Sequence, residues 1–243
     1  MRPGIEALAR QCRVITFSLA DEPTCRATFD EATGFNCYVE QVREALDVAG
    51  LEHATICGIS YGGLIAAAFA ARHPERTSAL VLVSALPPSW TPDARVRFYL
   101  RAPRALMPLF MLGSLRMYRE IAAARPGLLP GLREATRHGA NVLRHMFSPV
   151  RMARRVHLLS AATPVELSGI RVPTLVLTGD PELDRVVPVR ATREYLTLIP
   201  HARIERVERT GHLGLITRPD VFTGLVAPFV AEATRDEGRR RVV

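Results

Sequence analysis

The sequence predicts an α/β fold: a mostly parallel sheet flanked by helices, carrying a helical insertion. Three observations lead there. Short strand-like apolar runs alternate with helix-length segments, a Gly-x-Ser-x-Gly turn joins one run to an apolar helix, and a basic stretch rich in Leu and Met interrupts the alternation from Pro88 to Val165.

Each element has its own warrant. Pro3 to Gln11 reads as a helix and Cys12 to Leu19 as the first strand, followed by a loop of charged and small residues from Ala20 to Phe35. Val39, Val42, Leu46 and Ala49 share one face of the next helix, with Glu40, Arg43 and Asp47 largely opposite and Gly50 as its stop. His53 to Cys57 is a short strand, and Leu64 to Ala71, apolar on every face, is a buried helix. Ser78 to Ser84 is the next strand, ended by Pro87-Pro88. Beyond the insertion come a strand from Pro173 to Leu177, a helix around Arg190 to Leu198, a strand from Arg203 to Val207 and a closing helix from Pro219 to Ala231. Five parallel strands result. The partition is a core of 1–87 and 166–234, an insertion of 88–165, and a charged, frayed tail of 235–243.

Composition narrows the function classes. At 243 residues and 48% hydrophobic, the chain can bury one large core. No apolar run is long enough to span a bilayer, and Glu6, Arg10 and Arg13 interrupt any signal-peptide core. Cys12, Cys25, Cys37 and Cys57 lack the spacing of a zinc site or a disulfide framework, which fits a metal-free protein of a reducing cytoplasm. All 32 basic residues are Arg, and 13 of them lie between Pro88 and Val165, against Asp93, Glu120 and Glu134. The whole chain carries +8, so the basicity belongs to the insertion. With no recognition motif beside it, this charge does not describe a nucleic-acid binder; a solvated helix face suits it better than an anion- or membrane-attracting surface.

The chemistry centres on Cys57-Gly58-Ile59-Ser60-Tyr61-Gly62-Gly63. A Gly-x-Ser-x-Gly sequence between a strand and a helix is the context of a nucleophile elbow, in which a strained turn lifts the Ser hydroxyl clear of the sheet. Gly58 and Gly62 are expected to be required because a Cβ at either would collide with the turn. A serine nucleophile needs a base, and the base needs an acid to orient it. Of seven histidines, His212 in Thr210-Gly211-His212-Leu213 follows the final strand on a loop expected to open beside the elbow. The acid is expected after the preceding strand, where Asp180, Glu182 and Asp184 compete.

Taken together, the elbow, the Asp184-Arg185-Val186-Val187-Pro188 run and Thr210-Gly211-His212 resemble, in order and spacing, the α/β-hydrolase superfamily, and the resemblance covers nearly the whole chain. In that family the acid commonly stands four residues before such a proline, which selects Asp184. The resemblance makes 88–165 a helical cap whose Leu106, Met107, Leu109, Phe110, Met111, Leu112, Leu115 and Met117 pack on the core or line the pocket. It makes the Tyr61 amide one oxyanion-hole donor and offers no candidate for the second. It also equates the Cys12 to Leu19 strand with the family's fourth, so that strands one to three have no counterpart. From this follow either a true start upstream of Met1 or a truncated and impaired protein, an incomplete sheet with a vacant slot or a direct pairing beside the elbow strand, and weak catalysis by these residues alone. The implied activity is a metal-free, cofactor-independent serine hydrolase for a small, apolar ester, lactone or thioester, with Ser60 as nucleophile, His212 as base and Asp184 as acid. The alternatives are a perhydrolase or C–C bond hydrolase on the same triad, or a binding protein that keeps the fold without turnover.

Overall fold

Four parallel strands form one sheet in the order β1-β2-β3-β4: β1 (Ala54–Ile59), β2 (Thr77–Val83), β3 (Thr174–Thr178) and β4 (Arg203–Arg206). The coordinates are a computed structural model and describe residues 2–114, 118–124, 148–163 and 165–240. Helices before and between the strands are α1 (Arg2–Leu8), α2 (Asn36–Val48), α3 (Tyr61–Arg72), α4 (Ala94–Arg101), α5 (Met107–Ser114), α6 (Tyr118–Ala124) and α7 (Pro149–Ala161). After β3 come α8 (Val189–Thr192), α9 (Glu194–Leu198), α10 (Gly214–Thr217) and α11 (Pro219–Arg240).

The central strands are continuous apolar runs because helices cover both of their faces. Period-two alternation divides β2 between two cores. Leu80 and Leu82 join Val176 of β3 and the buried face of α3, with Tyr38, Val39 and Val42 of α2 behind it. Ala79, Val81 and Val83 join Leu175 and Leu177 against Phe222, Val226 and Phe229 of α11. A fully buried Leu such as Leu80 contributes about 1.5–3 kcal/mol relative to exposure, so β2 anchors the molecule. The site loops are attached to the ends of this rigid strand and its neighbours.

The expected first strand is absent. Residues 13–19 run without ladder hydrogen bonds, although their alternation suits a strand. Side chains take the backbone groups instead: the Gln41 amide donates to the Ser18 carbonyl (2.9 Å) and accepts from the Ala20 N–H (2.9 Å), and Arg13 donates to the Ala49 carbonyl (3.4 Å). The segment is thereby tied to α2 and the turn after it, leaving Ile15 and Phe17 42% and 44% exposed. The sheet accordingly has four strands rather than five among the described residues, and the outer edge of β1 carries no strand partner.

Other boundaries shift for local reasons. The helix expected around Arg190 to Leu198 is two short turns, α8 and α9, broken at Arg193. The closing helix runs on to Arg240, through the charged residues where fraying was expected. In α5, Met107, Leu109 and Leu112 are 44%, 47% and 63% exposed, so these three do not pack on the core; a helix apolar on every side cannot bury all of them against one surface. Leu115 and Met117 lie outside the described residues.

Arginines of α7 also depart from the solvated face that composition suggested. Arg155 binds Asp21 through two hydrogen bonds (2.9 and 2.6 Å) and Glu22 through a third (2.7 Å), Arg151 pairs with Glu22 (3.2 Å), and Arg154 bonds Glu31 and stacks over Phe29. Asp21 is the fully buried end of this network. The forked Arg–carboxylate geometry fixes α7 on the loop before α2, above the elbow's Tyr61, whose ring lies 5.8 Å from the Arg155 guanidinium.

Candidate active site

Ser60 sits between β1 and α3 at φ 55° and ψ −120°, a backbone conformation that L residues rarely adopt. Neighbours on both sides hold it there. The Ser60 N–H donates to the Val83 carbonyl (2.9 Å), and its carbonyl accepts from the N–H groups of Gly63 (3.0 Å) and Leu86 (3.2 Å). Strain at a single residue costs about 1–3 kcal/mol and persists only where the surroundings over-determine it, as these bonds do. Ser60 stays partly accessible while β2 beside it is buried.

The glycines around the turn are not equivalent. A Cβ at Gly58 would lie 2.2 Å from the Gly62 carbonyl oxygen and 2.7 Å from the Ala66 methyl, so that position admits only hydrogen. At Gly62 a Cβ would meet nothing within 4 Å, which corrects the expectation that both motif glycines are sterically required. The second close approach belongs to Gly63, whose Cβ would lie 2.3 Å from that of Ala85. Gly58→Ala is therefore expected to cost about 3 kcal/mol, the upper end for overpacking. Gly62→Ala should stay within about 1 kcal/mol of the parent and can gain from reduced unfolded-state entropy. Thermal melts of the two variants check the ranking.

The acid loop leaves β3 at Thr178 and separates the three carboxylates. Asp180 accepts from the Arg209 N–H (2.8 Å) and lies 3.5 Å from the Arg206 guanidinium, while its own N–H donates to the Thr210 carbonyl (2.7 Å). It serves the turn that leads into the His212 loop. Glu182 is exposed. Asp184 is buried, and its Oδ1 accepts from the N–H groups of Val186 (3.1 Å) and Val187 (2.9 Å). The same oxygen lies 3.5 Å from His212 Nδ1, a buried nitrogen with no hydrogen-bond partner among the described residues. That separation is longer than a formed hydrogen bond. Backbone packing sets it: a Cβ on Gly211 would stand 2.5 Å from the Leu183 carbonyl oxygen and 2.7 Å from the Asp184 nitrogen, so the two loops touch through the glycine.

Among the other histidines, His73 stacks on Phe69 with ring centroids 4.8 Å apart, His201 bonds the Val172 carbonyl (2.9 Å), and His157 is exposed on α7. His138 and His145 lie outside the described residues. Among the described residues, no cluster of three or more His, Cys, Asp or Glu could hold a metal ion, and no helix is long and apolar enough to cross a membrane.

Beside this constellation lie Glu120, which escaped sequence reasoning, and Tyr61, expected from the sequence only as a backbone oxyanion donor. Glu120 of α6 is 1% exposed, and its Oε1 accepts from the Leu213 N–H (2.6 Å), the residue after His212. Tyr61 buries a hydroxyl without a hydrogen-bond partner among the described residues, in an aromatic group with Phe35 and Tyr38 (ring centroids 6.1 and 5.9 Å). Burial raises its phenol above the ordinary range. Glu120 has no local signature: it and Leu213 are 93 residues apart in sequence.

Comparisons with known proteins identify the family and the fold. The model of the alpha/beta hydrolase family matches residues 5–225. The 2-hydroxymuconate semialdehyde hydrolase of Pseudomonas putida is 30% identical over 204 residues, covering 81% of this chain and 69% of that protein. A putative carbamate hydrolase, RutD, of Azorhizobium caulinodans is 29% identical over 248 residues, covering 95% and 86%. Among solved structures, the meta-cleavage product hydrolase of Pseudomonas fluorescens IP01 superposes with a TM-score of 0.65 at 22% identity, covering 96% of this chain and 84% of that one, which shows a shared fold. With its family model matched over most of its length and its relatives named as hydrolases, this chain is a hydrolase-type enzyme of the alpha/beta hydrolase family.

Proposed function

We propose that the chain is a serine hydrolase in which Ser60 attacks a carbonyl carbon, His212 takes and returns the proton, and Asp184 fixes the imidazole tautomer. The observation that carries this reading is the strained backbone of Ser60 on the same sheet as the Asp184–His212 contact of 3.5 Å. A side chain held at such a conformation at the start of a helix is a cost that folding alone does not explain. In the first turn of α3 the Gly63 N–H is taken by the Ser60 carbonyl, whereas the Tyr61 N–H has no intrahelical acceptor and is available to an oxyanion at the helix N-terminus. The segment 88–165 acts as a cap, supported by α6 touching the His212 loop and α7 lying over Tyr61.

The substrate class is a carboxylic ester, lactone or thioester of a small, largely apolar molecule. A second reading keeps the triad and changes the bond broken. A semialdehyde, the kind of substrate for which the Pseudomonas putida relative is named, has no heteroatom leaving group on its carbonyl, so hydrolysis there must cleave a C–C bond. That similarity favours a C–C bond hydrolase as the alternative.

Labelling with a fluorophosphonate tests the shared part of both readings. The expected result is a single adduct on Ser60, lost in His212→Ala. An unlabelled but folded protein would point instead to a binding protein that keeps the fold without turnover.

A further inference from the structure

The proposed triad leaves one buried ionisable group beside it without a role. Glu120 belongs to α6, in the segment between β2 and β3, yet its carboxylate enters the core and accepts from the backbone of the loop that carries His212. It is almost completely buried, while Arg119 next to it in α6 is exposed. A buried carboxylate is costly unless it does something for its partners. Here the partner is an N–H one residue after the proposed base, in a loop whose other side is pinned by Gly211 against Leu183 and Asp184.

We propose that Glu120 is a positioning residue for His212: by gripping the Leu213 N–H it fixes the 210–213 loop, and it presents a second carboxylate to the imidazole. The inference rests on His212 acting as the base. Glu120 does not touch the reacting atoms; it acts through the loop and through its field. Among the described residues, the titratable groups that face it are Asp184 on the acid loop and His212 itself. Burial, and then the Asp184 charge, push its carboxyl up to about 7, while the amides of Gly211 and Leu213 and the His212 side chain draw it back.

The sign follows from that position. A carboxyl raised above its ordinary 4.5 is protonated in the folded protein through the interval up to about 7. Its contribution to folding is therefore full below about 4.5, declines as pH rises to about 7, and is constant beyond. Catalysis runs the other way. Above about 7 the ionised carboxylate makes a charge-assisted bond to Leu213 and favours the imidazolium that forms as Ser60 attacks. The same group thus trades stability for rate across neutral pH.

The test is a pair of variants assayed on a short p-nitrophenyl ester, with Ser60→Ala run in parallel. Glu120→Ala leaves the Leu213 N–H unpaired and should lower kcat about tenfold with KM little changed. Glu120→Gln keeps an acceptor and should recover most of that loss at about pH 6, where the native carboxyl is also neutral, but fall several-fold, about 3 to 10, behind the parent above about pH 8. A parent-to-Gln ratio that rises through neutrality supports the proposal. A ratio that is flat in pH, or an Ala variant with the parent kcat, overturns it. Should the Ala protein fail to fold, the Gln ratio decides alone. An inactive Ser60→Ala protein beside unaffected Glu120 variants defeats this proposal only; an active one defeats the triad reading and this proposal with it.

Discussion

Ser60→Ala is expected to bring hydrolysis of short p-nitrophenyl esters down to background, a loss of about 10⁵–10⁶ in kcat if the triad acts as a unit. Cys57 is three residues away within β1, and the Tyr61 hydroxyl is buried in its aromatic group. The substitution should leave the fold intact, because alanine keeps the Cβ and the bonds that hold the strained backbone come from the Ser60 N–H and carbonyl. Stability should therefore stay within about 0.5 kcal/mol. Esterase rates and thermal melts of the purified variant check both halves. Turnover near that of the parent would remove Ser60 from the mechanism.

Strain at Ser60 also explains why so much of the site is legible in sequence. A turn that needs hydrogen at Gly58, a Ser at positive φ and a helix start immediately after it leaves a short, contiguous trace. The β2 and β3 strands are legible for a similar reason, since burial on both faces demands unbroken apolar runs. Residues 12–19 have the alternation of a strand and fail to be one because strand pairing is decided by partners elsewhere: Gln41, 21 residues from Ala20, takes the backbone groups a ladder needs. Gly62 and Gly63 were not separable by pattern, because the clash lies with Ala85 on the loop after β2. Distance in sequence hid Glu120 and the Asp21–Arg155 pair in the same way. Their partners are 93 and 134 residues away, and each residue alone reads as ordinary surface charge.

The open edge of β1 has a mechanistic side as well. Oxyanion stabilisation generally draws on two donors, and loss of one typically costs about 10²–10³ in rate. The Tyr61 amide is one candidate, and the loop between α1 and α2 contributes no second donor with an identified role. Seating of α6 and α7 over the site would then matter more to the observed rate than in a hydrolase with both donors fixed. The forked Arg155–Asp21 contact, with Arg151–Glu22 and Arg154–Glu31 beside it, and the Glu120–Leu213 bond contribute to that seating.

Asp184→Asn is the second variant expected to be severe, with a loss on the order of 10³–10⁴ in kcat and little change in KM. Asp184 Oδ1 already accepts from Val186 and Val187 and lies 3.5 Å from His212 Nδ1. An asparagine must keep its oxygen toward those two amides, which cannot accept a bond from an NH₂ group. With the oxygen held there, the amide no longer offers a charge to the imidazolium; flipped, it leaves those two N–H groups unpaired and turns its NH₂ to His212, favouring the tautomer with Nδ1 unprotonated, wrong for a base working through Nε2. Asp180→Asn is the matched comparison. Its bond to the Arg209 N–H needs only one acceptor oxygen, which asparagine retains, and the 3.5 Å contact with Arg206 is half-exposed, worth about 0–1 kcal/mol. A loss of about threefold or less is expected there, through a slight loosening of the turn before His212. Steady-state kinetics on both proteins at one pH separates the two carboxylates. If Asp180→Asn proves the more damaging, the acid of this enzyme is Asp180, and the Asp184 contact with His212 is a packing consequence of the Gly211 approach rather than part of the chemistry.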